Sequence, residues 1–132
     1  GQYTATQLVK AVSRRHISLN GARVLVLGFT FKGDCPDVRN TKIIDMVKEL
    51  ESFDMAVDVH DHWANSQEVF SQYGIQLVTE PKNKTYDAIV LAVDHSDYKK
   101  WGEGKIRAFG KEAHVLYDIK HVLPAIASDL RL

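Results

Sequence analysis

Arg23-Val24-Leu25-Val26-Leu27-Gly28 is a short, unbroken apolar run closed by glycine. A strand with one wet face alternates polar and apolar residues, whereas a strand covered by helices on both faces is apolar throughout, so this run reads as an inner strand of a parallel sheet. Downstream, Asn40-Thr41 can cap a helix whose Ile43, Ile44, Met46, Val47, Leu50 and Phe53 fall on one face, leaving Lys42, Lys48, Glu49 and Glu51 to water. The same order then recurs. It predicts a strand over 55–60, a helix around 66–72, a strand over 75–78, a connection through Pro81 to a strand over 87–93, a helical stretch near 105–109, a strand over 114–118, and a helical turn or two from Val122. Upstream, Leu8, Ala11, Val12 and Ile17 recur at helical spacing and Asn20-Gly21 supplies a stop, which predicts a lead-in helix over 6–17. This alternation is that of an α/β fold: a doubly wound, mainly parallel, Rossmann-like sheet of about five or six strands with an N-terminal lead-in helix.

Composition bounds the function. The 132 residues carry 17 Lys+Arg against 17 Asp+Glu, with 45% apolar and 26% charged residues, as in one ordinary globular domain. A net charge of zero without long runs of one sign gives no electrostatic footprint for nucleic acid or an anionic membrane. No apolar run approaches the roughly 18 residues of a membrane span, and no signal peptide is visible. The single Cys35 excludes an intrachain disulfide and cannot alone supply a thiolate zinc site, so the chain reads as intracellular or indifferent to redox compartment, and a cytoplasmic location is expected.

Right-handed crossovers place the loops after each strand on one edge of the sheet, so residues near 28–40, 61, 79, 94–97 and 118–121 are expected to share a rim where ligands bind. The loop after the first strand, 28–40, is longer than the usual 2 to 6 residues or so. It has neither G-x-G-x-x-G nor G-K-[ST] spacing, so neither a dinucleotide fingerprint nor a phosphate loop can be assigned to it. It does carry Phe31-Lys32, a ring on which a base or sugar can stack beside an ammonium that can meet a phosphate; the plainer reading is core cover and a solvated lysine. Lys32 and Arg39, from the loop after the first strand, and Lys120, after the last, can converge on one anion, for which a diphosphate is the natural candidate. Arg39 next to Asp37 also reads as a brace for the loop, and Cys35 as a buried, inert thiol. His60-x-His62 sits where a strand ends, so the pair does not define a metal site. Asp61 occupies the place of a ribose-binding acid but lacks the glycine fingerprint, and His95 reads as a hydrogen-bonded loop histidine.

The stretch Gly28-Phe29-Thr30-Phe31-Lys32-Gly33-Asp34-Cys35-Pro36-Asp37-Val38-Arg39-Asn40-Thr41 closely resembles the G-x-x-F-K-x-x-x-x-D-x-R-[NE] segment of the nucleotide-sugar 6-dehydrogenases, the UDP-glucose/GDP-mannose dehydrogenase family, in their C-terminal UDP-binding domain. Its C-P-D-x-R-N-T form resembles the branch acting on UDP-N-acetylhexosamines, which feeds bacterial capsule and surface-polysaccharide synthesis. Gly1-Gln2-Tyr3, 57–61, Val93-Asp94-His95 and Tyr117-Asp118-Ile119-Lys120 support the resemblance along the whole chain. It implies residues 1–20 as part of the family's central helix and 21–132 as the UDP-sugar-binding domain. It also implies Phe31 and Lys32 lining the nucleotide-sugar site, and Lys120 where relatives often have arginine. The family oxidises the sugar C6 alcohol to a carboxylate in two steps, reducing two NAD through a thioester on a cysteine. That cysteine and the NAD site lie in the N-terminal part of family members and nothing here matches them, so no catalytic residue and no NAD site are expected in this stretch. The expected partners are a UDP-sugar, an N-terminal NAD-binding domain and a second subunit paired through the lead-in helix.

Two other readings are weighed against this one. A phosphoacceptor receiver domain of flavodoxin-like order needs an acidic pair after the first strand and an Asp after the third, where this chain has Thr30-Phe31 and Thr79-Glu80. A standalone, non-catalytic nucleotide-binding domain fits the same loops without a larger enzyme around it.

Overall fold

In the computed structural model, which describes residues 2–132, the apolar run is β1 (Arg23–Leu27), and its alternate residues feed two separate cores. Val24 and Val26 pack with Leu8 and Val12 of α1 (Gln2–Arg14), Val47 and Leu50 of α2 (Ile43–Ser52) and Val69 of α3 (Ser66–Tyr73). Leu25 and Leu27 pack on the opposite side with Tyr98 and Ile106 of α4 (Ser96–Ala108) and with Val122 and Leu123. Burial on both faces is the physical reason the strand needs no polar residue after Arg23. The sheet is completed by β2 (Ala56–His60), β3 (Tyr86–Leu91), β4 (Gly110–Asp118) and β5 (Leu130–Arg131), in the order β2-β1-β3-β4-β5 with every pairing parallel. The doubly wound α/β expectation therefore holds, with five strands among the described residues. No helix among the described residues is long and apolar enough to cross a membrane.

The differences from the sequence reading have local causes. Residues 75–78 form no strand: they run along β2 with the Val78 N–H donating to Val59 O at 2.8 Å, and Ile75 and Leu77 give their apolar side chains to the core. The fifth strand is instead Leu130–Arg131, following a 3-10 turn at Ala125–Ala127. The helix before β4 starts at Ser96 rather than near 105, and Gly102, at φ 74° and ψ 174°, kinks it midway. β4 itself begins four residues early, at Gly110. α1 starts at Gln2 and ends at Arg14; Gly1, named in the expected central helix, lies outside the described residues. α2 is capped by Lys42 without a side-chain bond, while Thr41 Oγ accepts the Ile43 N–H at 3.2 Å, so Asn40 does not act as the expected cap.

The order of strands reverses between β1 and β3, since the chain moves outward to β2 and then returns past β1. In open parallel sheets the loops leaving the carboxyl ends on either side of such a reversal diverge and leave a crevice.

Candidate functional site

β1 leaves the sheet through Gly28, whose φ of 105° belongs to glycine and whose missing side chain is required: a Cβ there would lie 2.5 Å from Val93 Cβ and 2.9 Å from Val93 N. The loop therefore crosses close over the end of β3. Phe29 and Thr30 are buried, Phe29 edge-on to Tyr73 at 5.1 Å, and then Phe31 and Lys32 emerge into solvent, Phe31 58% exposed. The Phe31 N–H donates to Asp37 O at 2.8 Å and the Thr30 hydroxyl to Lys32 O at 2.9 Å, which folds the loop on itself.

What holds this loop is Asp61, buried just beyond β2. Its Oδ2 accepts the backbone N–H groups of Phe29 (2.7 Å) and Thr30 (3.1 Å), and its Oδ1 those of Trp63 (2.8 Å) and Ala64 (3.1 Å). His95 Nε2 lies 2.8 Å from the same Oδ2, and His95 Nδ1 accepts the Asp34 N–H at 2.9 Å. A backbone N–H can only donate, so Nδ1 carries the lone pair and the ring proton sits on Nε2, pointing at Asp61. Burial pushes the Asp61 carboxyl up, but the His95 contact and the Phe29 and Thr30 amides together outweigh it and hold the group below the usual carboxylate range.

At the other side, Asp118 ends β4 fully buried, its two oxygens accepting the N–H groups of Val122 (3.0 Å) and Leu123 (2.9 Å). With the Ile119 N–H bonded to Leu91 O at 3.1 Å, this fixes the turn that carries the exposed Lys120. Between the two loops and the start of α2 lies a cleft of about 500 Å³, lined by Phe31, Lys32, Asn40, Ile43, Asp94 and Lys120 among others. That volume is in the range of small-molecule sites, and its position is the strand-order reversal. Lys32 and Lys120 line the same cleft from different loops, and neither forms an ion pair with a carboxylate among the described residues.

The structure places the remaining sequence candidates elsewhere. Arg39 lies across Asp37, Nε to Oδ1 at 3.1 Å and Nη2 to Oδ2 at 3.2 Å, and lines a shallow depression with Cys35 and Trp63 rather than the cleft. The Arg39 hydrogen bonds hold Asp37 below the usual carboxylate range, and Asp37 in turn raises Arg39. Cys35 is half-buried rather than buried. Thr79 borders two other depressions and does not reach the cleft. The sequence reading assigns the cleft neither Asn40 nor Asp94, which line it; an acid at each of three strand exits, Asp61, Asp94 and Asp118, is the signal for Asp94 and for the two buried carboxylates that hold the loops. Nor does β1 end in a dinucleotide cradle, because Val93 fills the space over Gly28, and a Cβ at Gly33, the next glycine, would meet Asp94 Oδ1 at 2.3 Å.

His60 and His62 face each other at 3.0 Å through their Nε2 atoms. Tyr98 donates its hydroxyl proton to His60 O at 3.0 Å, so His60 Nδ1, 2.9 Å from the Tyr98 hydroxyl oxygen, is the donor to that hydroxyl. Among the described residues no group of three or more potential ligands is arranged to hold a metal. Burial first, and the charge of His62 second, push His60 down to about 4 from 6.5. A histidine depressed in the folded state takes up its proton first when unfolded. The His60 contribution to stability is thus constant above pH 6.5, falls by up to about 1.4 kcal/mol per pH unit toward pH 4 and then levels off. Urea unfolding of His60→Phe across this window is expected to show a slope shallower by close to one proton; an unchanged slope would place the titration elsewhere.

Residues 25–125 match the model of the UDP-glucose/GDP-mannose dehydrogenase family, UDP binding domain. Over all 132 residues the chain is 52% identical to the UDP-N-acetyl-D-glucosamine 6-dehydrogenase of Salmonella typhi and 49% identical to that of Pseudomonas aeruginosa, spanning 31% of the length of each. The solved structure of a UDP-D-ManNAc dehydrogenase from Pyrococcus horikoshii shares the fold with a TM-score of 0.76 at 20% identity, over 98% of this chain and 30% of that one. The rim motif after β1, the cleft at the strand-order reversal and these matches lead to one assignment: the chain belongs to the UDP-glucose/GDP-mannose dehydrogenase family, in the part of it that forms the UDP binding domain.

Proposed function

We propose that this chain binds the UDP end of a UDP-N-acetylhexosamine within a larger NAD-dependent 6-dehydrogenase. The single observation that carries the reading is the cleft at the β1/β3 reversal, lined by an exposed phenylalanine and by two lysines without carboxylate partners among the described residues. A diphosphate supplies the two negative charges that the ammonium groups lack, and a uracil or sugar ring can cover Phe31. Identities of 52% and 49% to UDP-N-acetyl-D-glucosamine 6-dehydrogenases support the N-acetylhexosamine over other sugars.

In this reading residues 21–132 hold and orient the substrate, so that the sugar C6 projects toward a separate NAD-binding domain of the parent enzyme. NAD supplies the oxidising power there, and Cys35, in the substrate loop, is not the nucleophile. The leading segment 1–20, of which Gln2–Arg14 is helical, belongs to the connection between the two domains and pairs subunits into a homodimer. The apolar face of α1 is already covered, with Ala5, Leu8 and Val12 buried against the domain, so pairing would use outward residues such as the exposed Tyr3. A cytoplasmic location, where NAD and nucleotide sugars are made, and a role in surface-polysaccharide synthesis complete the proposal.

The parent polypeptide is expected to oxidise UDP-N-acetylglucosamine with two NAD reduced per sugar, since alcohol to carboxylate is a four-electron change. NADH counted by absorbance against sugar consumed is the check. Preference for GDP-mannose, or a ratio of one, would contradict it.

A further inference from the structure

Among the described residues Phe31 and Lys32 have no side-chain tether of their own, so their placement in the cleft is set by what holds the residues on either side. Thr30 is held by Asp61, and Asp34 is held by the turn between β3 and α4. At that turn two residues exchange roles. His95 is the N-cap of α4 yet makes no capping bond with its side chain; the capping is done by Asp34 Oδ1, which accepts the Ser96 N–H at 2.8 Å and the Ser96 hydroxyl at 3.1 Å. The ring of His95 is turned instead to the loop, with Nδ1 on the Asp34 N–H at 2.9 Å and Nε2 3.2 Å from Thr30 Oγ and 2.8 Å from Asp61. It is 1% exposed, stacked with Trp63 at 6.1 Å and against Tyr98 at 5.6 Å, so it cannot swing away without opening the core.

We propose that His95 is a positioning residue for the nucleotide cleft: by touching Thr30 and Asp34 at once it spans the three residues between them and fixes Phe31 and Lys32 facing the ligand. This rests on the reading of the cleft as the UDP site. The two ring nitrogens have separable duties. Nε2–H keeps Asp61 satisfied and thereby supports the fold, while Nδ1 sets the loop.

Two substitutions separate these duties. His95→Asn puts an amide oxygen near the place of Nδ1 and keeps the acceptor for Asp34, whereas His95→Gln puts an amide N–H near the place of Nε2 and keeps the donor to Asp61. Amide hydrogen exchange by NMR and calorimetric titration with UDP are measured on this chain and both variants. In His95→Gln the Asp34 amide is expected to exchange at least about ten-fold faster and UDP affinity to fall about five- to ten-fold, with the Phe29 and Thr30 amides still protected. His95→Asn is expected to keep Asp34 protection and UDP affinity within about two-fold. Equal losses in both variants, unchanged exchange at Asp34 in His95→Gln, or unchanged affinity with Asp34 exchanging freely would overturn the proposal. If the unsubstituted chain gives no UDP isotherm, the nucleotide reading fails and the functional part of the proposal with it, while Asp34 exchange still decides whether His95 holds the loop.

Discussion

Lys32→Ala and Lys120→Ala are each expected to weaken UDP binding about ten-fold, and the double variant to bring it to the limit of detection, with the unfolding midpoint nearly unchanged. The two ammonium groups line one cleft from separate loops, and no carboxylate among the described residues pairs with either. Asp94, on the same wall, adds a repulsion to any anion there, which makes the lysines more necessary. A charge-assisted hydrogen bond to phosphate contributes roughly 1.5–3 kcal/mol in favourable geometry, and solvent around exposed lysines keeps the effect at the lower end. Both contacts fall on one diphosphate, so their losses are not expected to add exactly as independent terms. Because both side chains are exposed, their removal opens no cavity and leaves no buried group unpaired. Calorimetric titration at two salt concentrations checks this: affinity falls with salt in the parent chain and less steeply in each variant. A variant binding as tightly as the parent would remove that lysine from the site.

Asp61→Ala is expected to be among the most destabilising single changes, by about 3–5 kcal/mol, and to abolish UDP binding at temperatures where the variant still folds. The carboxylate accepts from Phe29, Thr30, Trp63 and Ala64 N–H groups and from His95. The first two amides and the ring N–H are buried, so each loses its partner without access to water. That loss is a large share of the roughly 5–15 kcal/mol by which domains are stable. Asp61→Asn preserves volume but turns an N–H toward donors, so it is expected to recover only part of the loss. The acid limb follows with a definite sign. With Asp61 held below the ordinary aspartate value of 3.8, its contribution is complete above that pH and is lost as pH falls through the folded value, below the window in which His60 acts. Urea unfolding at pH 7 and in the acid range measures both; a cost under about 1 kcal/mol at pH 7 would show that the five contacts are replaceable.

The parts of the fold that were legible are those where burial is uniform. β1 and β3 are apolar because both faces are covered, and α2 shows one clean apolar stripe. α4 was mostly hidden because its buried anchors are Tyr98 and Ile106, and Gly102 and Gly104 lie between them. Residues 75–78 carry a strand-like pattern, but β2 is the sheet edge there and they join it through the Val78 N–H without forming a ladder. β5 is two residues long, too short for any period to show.

For the cleft, Phe31, Lys32 and Lys120 could be found because residues after parallel strands must meet at one rim. Arg39 carries the right charge but Asp37, two residues away, engages it first. The pairing of Asp61 with His95 spans 34 residues and is decided by the sheet order, which no local pattern contains.

An amide-resolved NMR titration of the chain with UDP tests the central claim most directly. The account predicts shifts concentrated in 29–34, 40–43, 92–94 and 118–121, with none of that pattern for NAD. Shifts centred instead around His62, Trp101 and Lys105, or the same response to NAD as to UDP, would contradict it.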